Sequence, residues 1–173
     1  MYNERMEAIA VKIIYVIIFA IIAGLGANNY FRDEGEIAVL ERVVDGDTVY
    51  VRIGDEEEKV RMIGIDTPET SDPRKTVECF GQEATNFLKQ FEGEEVTLED
   101  DFTQGDTDHY DRSLRYIWLD DTNLNKLMIE EGYAFEHTHD NPYKYQWGFK
   151  IAEEIAKLER AGLWDPDTCN GER

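Results

Sequence analysis

Residues 37–65, IAVLERVVDGDTVYVRIGDEEEKVRMIGI, hold three short runs of β-forming residues separated by turn chemistry. IAVLERVV (37–44) is rich in β-branched residues, and TVYVRI (48–53) alternates, with Val49, Val51 and Ile53 on one face. VRMIGI (60–65) is the third run. Asp-Gly at 45–46 supplies one turn, and the acidic GDEEE (54–58) reads as the other. Three strands joined this way form an antiparallel meander. The start of the second strand then lies beside the end of the third.

Downstream, Ala84, Phe87, Leu88 and Phe91 recur at helical spacing, and Gly93 ends the run. EVTLE (95–99) and LRYIWL (114–119) read as two more strands. Asn123 is placed to cap a short helix carrying Leu124, Leu127 and Met128, which stops at Gly132. A last helix runs from about Tyr145 to Ala161, and its apolar face is Trp147, Ile151, Ile155 and Leu158. Gly162 ends it, with Leu163 and Trp164 tucked underneath. Three strands, a helix, two strands and two helices make an α+β chain. The order fits a five-stranded Greek-key barrel, the OB-fold, with three helices.

The chemistry concentrates at one rim of this meander. Asp47 begins the second strand and Asp66 ends the third, so antiparallel pairing brings the two carboxylates together. Two carboxylates forced together call for a cation or a shared proton. Hard oxygen donors select Ca²⁺ or Mg²⁺ over zinc, and the Thr67 carbonyl is a third candidate ligand. Arg61 lies five residues before Asp66, so strict alternation would put the two on opposite faces. They converge only if the chain turns out of the strand near Gly64. Arg112, in DHYDRSLRYIW (108–118), precedes the fifth strand. A cation, two guanidinium forks and a further carboxylate, Glu69, suit phosphodiester hydrolysis. Glu69 would take a proton from water. Taken singly, DGDT and DTPE are also ordinary turn sequences whose carboxylates and hydroxyls bond turn amides.

The chain has 38 acidic and 18 basic residues, a formal net charge of −20, and that argues against a nucleic-acid partner on charge alone. Residues 10–27, AVKIIYVIIFAIIAGLGA, are apolar except for Lys12. With Lys12 snorkelling, residues 8–26 approach the roughly 20 needed to span a bilayer. The small residues at 23–27 also suit a cleavage region. Residues 1–27 are therefore expected to be a membrane anchor or signal peptide, 28–36 a linker, 37–164 the barrel domain and 165–173 a tail. Either leader exports the domain, to the outer face of the membrane or beyond it. Export allows Cys79 and Cys169 to form a disulfide. The alternative is a zinc site that would combine them with His137 and His139.

VVDGDTV, RMIGIDTPE and DHYDRSLRYIW, in this order, resemble the staphylococcal nuclease (thermonuclease) family, as do ECFGQEATNFL, EEGYAF and AGLW around them. The resemblance covers about residues 37–164. It implies a monomeric, calcium-dependent nuclease acting on DNA, RNA or both. It makes Asp47, Asp66 and the Thr67 carbonyl calcium ligands, and has Asp45 hold a metal-bound water. Arg61 and Arg112 would contact the phosphate, Glu69 would be general base or water orienter, and Tyr110 would reach a terminal phosphate. Two departures stand out. Asp111 occupies a position where the family usually has glycine, so its carboxylate is expected to pull on Arg112. His137 and His139 stand near positions of tyrosines that line the nucleotide, so substrate binding is expected to be weaker or pH-dependent. Two other readings remain at this point: an inactive nucleic-acid-binding barrel and an acidic calcium-binding module.

Overall fold

The computed structural model describes residues 35–70 and 78–172. The expected leader and most of the linker, along with residues 71–77, lie outside the described residues. Among the described residues no helix is long and apolar enough to cross a membrane.

The meander forms as expected. β1 (Glu36–Asp45), β2 (Thr48–Ile53) and β3 (Glu56–Met62) are antiparallel neighbours. Val49, Val51 and Val60 are completely buried, and each such side chain contributes roughly 1.5–3 kcal/mol through burial. The acidic turn is shorter than GDEEE suggested. Only Gly54 and Asp55 turn, while Glu56, Glu57 and Glu58 pair with Ile53, Arg52 and Val51. Exposed strand positions accept glutamate because only the inward face must be apolar.

The chain leaves β3 at Ile63–Gly64 and makes a two-residue strand, β4 (Ile65–Asp66). Gly64 has φ +79°, and a Cβ there would lie 2.7 Å from the Tyr143 ring, so both the turn and the packing require glycine. After α1 (Gly81–Leu88) and a 3₁₀ turn at Lys89–Phe91, β5 (Glu95–Glu99) pairs with β1. β6 (Ser113–Leu119) pairs antiparallel with β5 and parallel with β3, which closes a five-stranded barrel. A short β7 (Thr122–Asn123) then leads into α2 (Leu124–Glu130), where the Asn123 side chain accepts from the Lys126 amide at 2.9 Å. β8 (Phe135–Glu136) pairs with β4. α3 (Gln146–Glu159) packs on α2, and a 3₁₀ turn at Gly162–Trp164 buries Leu163. This is the expected α+β, OB-type barrel with three helices.

One expectation is overturned. The apolar strip Trp147, Ile151, Ile155 and Leu158 of α3 does not face the core; all four are exposed. Phe149, Ala152 and Ala156 are buried instead. α3 packs on α2, and small residues let two helix backbones approach closely where isoleucine and tryptophan would hold them apart.

Two buried carboxylates secure the segment before α3. Glu99 accepts from Lys144 Nζ at 2.7 Å, Tyr145 Oη at 2.8 Å and Trp118 Nε1 at 2.7 Å. Burial, with Glu99 beside it, pushes the Tyr145 hydroxyl up to about 12. Asp101 accepts from the Lys144 amide at 2.7 Å and from Tyr116 Oη at 2.8 Å. Burial alone would raise its pKa, but hydrogen bonds from Lys144, Thr103 and Tyr116 outweigh it and hold the carboxyl below the usual range.

Cys79, just before α1, is bonded to Cys169 in the tail, 90 residues later. That pairing leaves neither thiol for the zinc alternative. Among the described residues no group of three histidine, cysteine, aspartate or glutamate side chains is arranged to hold a metal. Closing a loop of this length stabilises by at most about 4–5 kcal/mol in the chain-entropy model. Exported protein is expected to show no free thiol on denaturation without reductant and to melt at lower temperature once reduced. Two titratable thiols would show that the bond does not form in the cell.

Candidate active site

The rim of the barrel gathers the charged residues, but the third strand does not run through to Asp66 as expected: it ends at Met62, and Asp66 lies beyond the Gly64 turn on β4, paired with β8. Thr48 at the start of β2 is the register partner of Arg61 near the end of β3. The Asp45-Gly46-Asp47 turn lies directly against Thr67, since a Cβ on Gly46 would fall 2.7 Å from the Thr67 side chain. Thr67 is buried, and its amide and hydroxyl donate to Asp47 Oδ2 at 3.1 and 3.3 Å. The Asp47 amide in turn donates to Asp45 Oδ1 at 3.3 Å.

Arg61 stands between the two aspartates. One terminal nitrogen lies 3.1 Å from Asp47 Oδ2 and 3.2 Å from Asp66 Oδ1. The other donates to the carbonyls of Met62 at 2.8 Å and Ile65 at 2.9 Å. The turn at Gly64 makes this convergence, because β4 re-enters with Asp66 on the Arg61 side. Burial alone would raise the pKa of Asp47. The Arg61 charge and hydrogen bonds from Thr67 and Thr48 outweigh burial and hold the carboxyl below the usual range. The donors are hard oxygens, and one cationic group already satisfies both carboxylates together. Carboxylate oxygens are the donor type that a hard divalent cation takes.

Arg112 arrives through the parallel closure of β3 on β6, which sets Ser113 opposite Val60. Its guanidinium donates to Thr48 Oγ1 at 3.2 Å, and Thr48 Oγ1 donates to Asp47 Oδ1 at 2.9 Å. Arg112 and Arg61 thus hang on one polar chain. The carboxylate on Arg112 is Asp108, through Nε at 2.7 Å and a terminal nitrogen at 2.6 Å. Sequence reasoning missed Asp108. Its four-residue spacing from Arg112 is the only signal, and that spacing is common. Asp108→Asn is expected to lower turnover about ten- to a hundredfold with a smaller change in KM, since a misplaced guanidinium loses transition-state contacts first. An unchanged kcat would leave the Asp108 pair without a positioning role.

The carboxylate that bonds the Arg112 guanidinium is that of Asp108, and Asp111 stands in the turn between them. It is exposed and sits at φ 59°, the left-handed conformation that glycine adopts without strain. Asp111→Gly is therefore expected to stabilise the fold by roughly 1 kcal/mol while leaving the rate unchanged. A rate that rises at low salt would restore the electrostatic reading.

Arg61, Arg112, His137 and His139 line one cleft of about 350 Å³. His137 is held there by its amide, which donates to the Gly64 carbonyl at 3.0 Å. His139 Nδ1 lies 2.9 Å from Asp140. Tyr110 is exposed, with the Arg112 guanidinium 5.4 Å from its ring centroid, and it is not part of the cleft wall. Glu69 is also outside that wall; its amide donates to the Glu78 carboxylate at 2.9 Å and its carbonyl accepts from the Glu78 amide at 2.9 Å.

Known proteins share this arrangement of sequence. Residues 59–166 match the model of the family described as staphylococcal nuclease homologue. A thermonuclease of Staphylococcus intermedius is 34% identical over 155 residues, 88% of this chain and 91% of that protein. A thermonuclease of Staphylococcus hyicus is 36% identical over 71% of this chain and 72% of its own length. The SPbeta prophage-derived endonuclease YokF of Bacillus subtilis (strain 168) is 34% identical over 72% of this chain and 43% of its own length. On this similarity, and with the barrel and its charged rim as described, the chain belongs to the staphylococcal nuclease family.

Proposed function

We propose that this protein is a calcium-dependent nuclease that hydrolyses DNA, RNA or both, and that it works as a monomer on the outer side of a membrane. Membership of the family makes it a phosphodiester-cleaving enzyme. The observation that supports the finer reading is Arg61 held 3.1 and 3.2 Å from the Asp47 and Asp66 carboxylates, on the wall of the cleft that Arg112 also lines.

Asp47, Asp66 and the Thr67 carbonyl would hold Ca²⁺, with Asp45 steadying its water. The ion would supply positive charge where negative charge develops on the phosphate. Arg61 and Arg112 present planar forks that match two phosphate oxygens each, and they orient phosphorus for in-line attack. Glu69 accepts the proton of the attacking water as the P–O bond to the leaving oxygen breaks. Tyr110, beside Arg112, donates to a terminal phosphate, while His137 and His139 face the nucleotide across the cleft.

The net charge of −20 opposes a polyanion at long range, but the two arginines act at contact distance. Salt screens the distant repulsion, with a Debye length of about 3 Å at 1 M. Digestion of single-stranded DNA, duplex DNA and RNA with Ca²⁺, with Mg²⁺ and with chelator tests the proposal. Cleavage that requires Ca²⁺ is expected. Calcium binding without cleavage would leave a binding module, and equal cleavage in chelator would remove the metal assignment.

A further inference from the structure

α3 carries two apolar faces, and its packing accounts for only one. Trp147, Ile151, Ile155 and Leu158 are 77%, 44%, 48% and 84% exposed. At 3.6 residues per turn they fall in a strip about 80° wide, on the side away from the buried Phe149, Ala152 and Ala156. Single exposed apolar residues are ordinary, but four large ones aligned along one helix mark a contact surface.

The fold places this strip near the point where residues 1–34 join the domain. Gly35 sits so close to β5 that a Cβ there would overlap the Leu98 carbonyl oxygen. The next residue of β5, Glu99, binds Lys144 and Tyr145, the two residues immediately before α3. Glu99 thus links the strand beside the junction to the residues that lead into the Trp147 end of the helix. Between Ala27, which ends the apolar run, and Gly35 the chain reaches at most about 28 Å. α3 is itself about 21 Å long. An apolar run that spans a bilayer would thus hold Gly35 within about 28 Å of the lipid surface.

We propose that the Trp147–Ile151–Ile155–Leu158 strip seats the domain on the lipid surface in which its own N-terminal run is anchored, a step that rests on the anchored reading above. The strip inserts into the boundary between headgroups and acyl chains, where an indole sits well. Uncharged phosphatidylcholine-type lipids suit it best. The chain carries −20 overall, and Lys157, beside the strip, is already paired with Glu153 at 2.7 Å and Glu154 at 2.9 Å. Attachment therefore comes from apolar contact and not from lysine attraction to anionic lipid. None of the four strip residues lines the cleft, so a seated domain keeps its arginines open to substrate.

The test uses the full chain in phosphatidylcholine vesicles, with and without brominated acyl chains that quench nearby tryptophan. Flotation reports the anchor, and quenching reports the seat. Trp118 and Trp164 supply a background that Trp147→Phe isolates. Wild type is expected to lose clearly more emission than Trp147→Phe. The excess should vanish in an Ile155→Glu, Leu158→Glu double variant, which keeps its rate on a short soluble oligonucleotide. Equal quenching of wild type and Trp147→Phe in floating vesicles would overturn the seat while leaving the anchor standing. Failure to float would overturn the anchor and the seat with it. A cross-link between two copies through a photoreactive group at position 158 would assign the strip to a second copy instead, and would also overturn the proposal.

Discussion

Asp47→Ala is expected to reduce Ca²⁺-dependent hydrolysis by about a thousandfold or more and to weaken Ca²⁺ binding. A metal ion contributes several kcal/mol of charge stabilisation in the transition state, and each 1.36 kcal/mol is tenfold in rate. Asp47 also accepts from Thr67, Thr48 and Arg61, so its loss leaves buried donors without an acceptor and destabilises the rim. Asp66→Ala separates the two effects, because Asp66 is more exposed, with 27% of its side chain accessible against 10% for Asp47. It should lose activity and Ca²⁺ affinity with a smaller fall in melting temperature. Calcium titration by calorimetry, together with initial rates, checks both variants. Full Ca²⁺-dependent activity in either would remove the metal assignment.

Arg61→Lys is expected to be nearly as damaging as Arg61→Ala, at roughly a hundredfold or more in kcat. The guanidinium reaches two backbone carbonyls with one nitrogen and two carboxylates with the other. An ammonium is a single point and cannot span that frame while presenting a planar edge to phosphate. A lysine variant that recovers most of the rate would mean that Arg61 supplies charge alone. The pair of variants is best compared at the same ionic strength, since screening changes the charge component and leaves the fork geometry untouched.

The strength of these expectations differs along the chain for a physical reason. Val49 and Val51 announce β2 through period-two alternation, and Asn123 announces α2 through its cap; both signals act between residues near in sequence. The meeting of Asp47 and Asp66 was legible only in part: β2–β3 pairing sets Thr48 opposite Arg61, but the third strand breaks after Met62, and Asp66 returns to Arg61 on β4, which pairs with β8. Asp108 was not legible. Its carboxylate and that of Asp111 are both near Arg112 in sequence, and only the turn conformation selects between them: Asp111 takes a left-handed φ and Asp108 bonds the guanidinium.

By itself the sequence determined the three-strand meander, the helices and the family motifs, since each depends on local periodicity, turn chemistry or strand adjacency. The tertiary structure alone decided that β6 closes on β3 in parallel and brings Arg112 to Thr48 and Asp47. It closed the Cys79–Cys169 bond that the sequence allowed. It also decided which face of α3 is buried, against the apolar strip that the sequence favoured. A helix buries the face that fits its neighbour's backbone. Phe149 packs among Tyr116, Tyr143 and Tyr145, with Ala152 and Ala156 buried on the same side, whereas Trp147, Ile151, Ile155 and Leu158 are left outside.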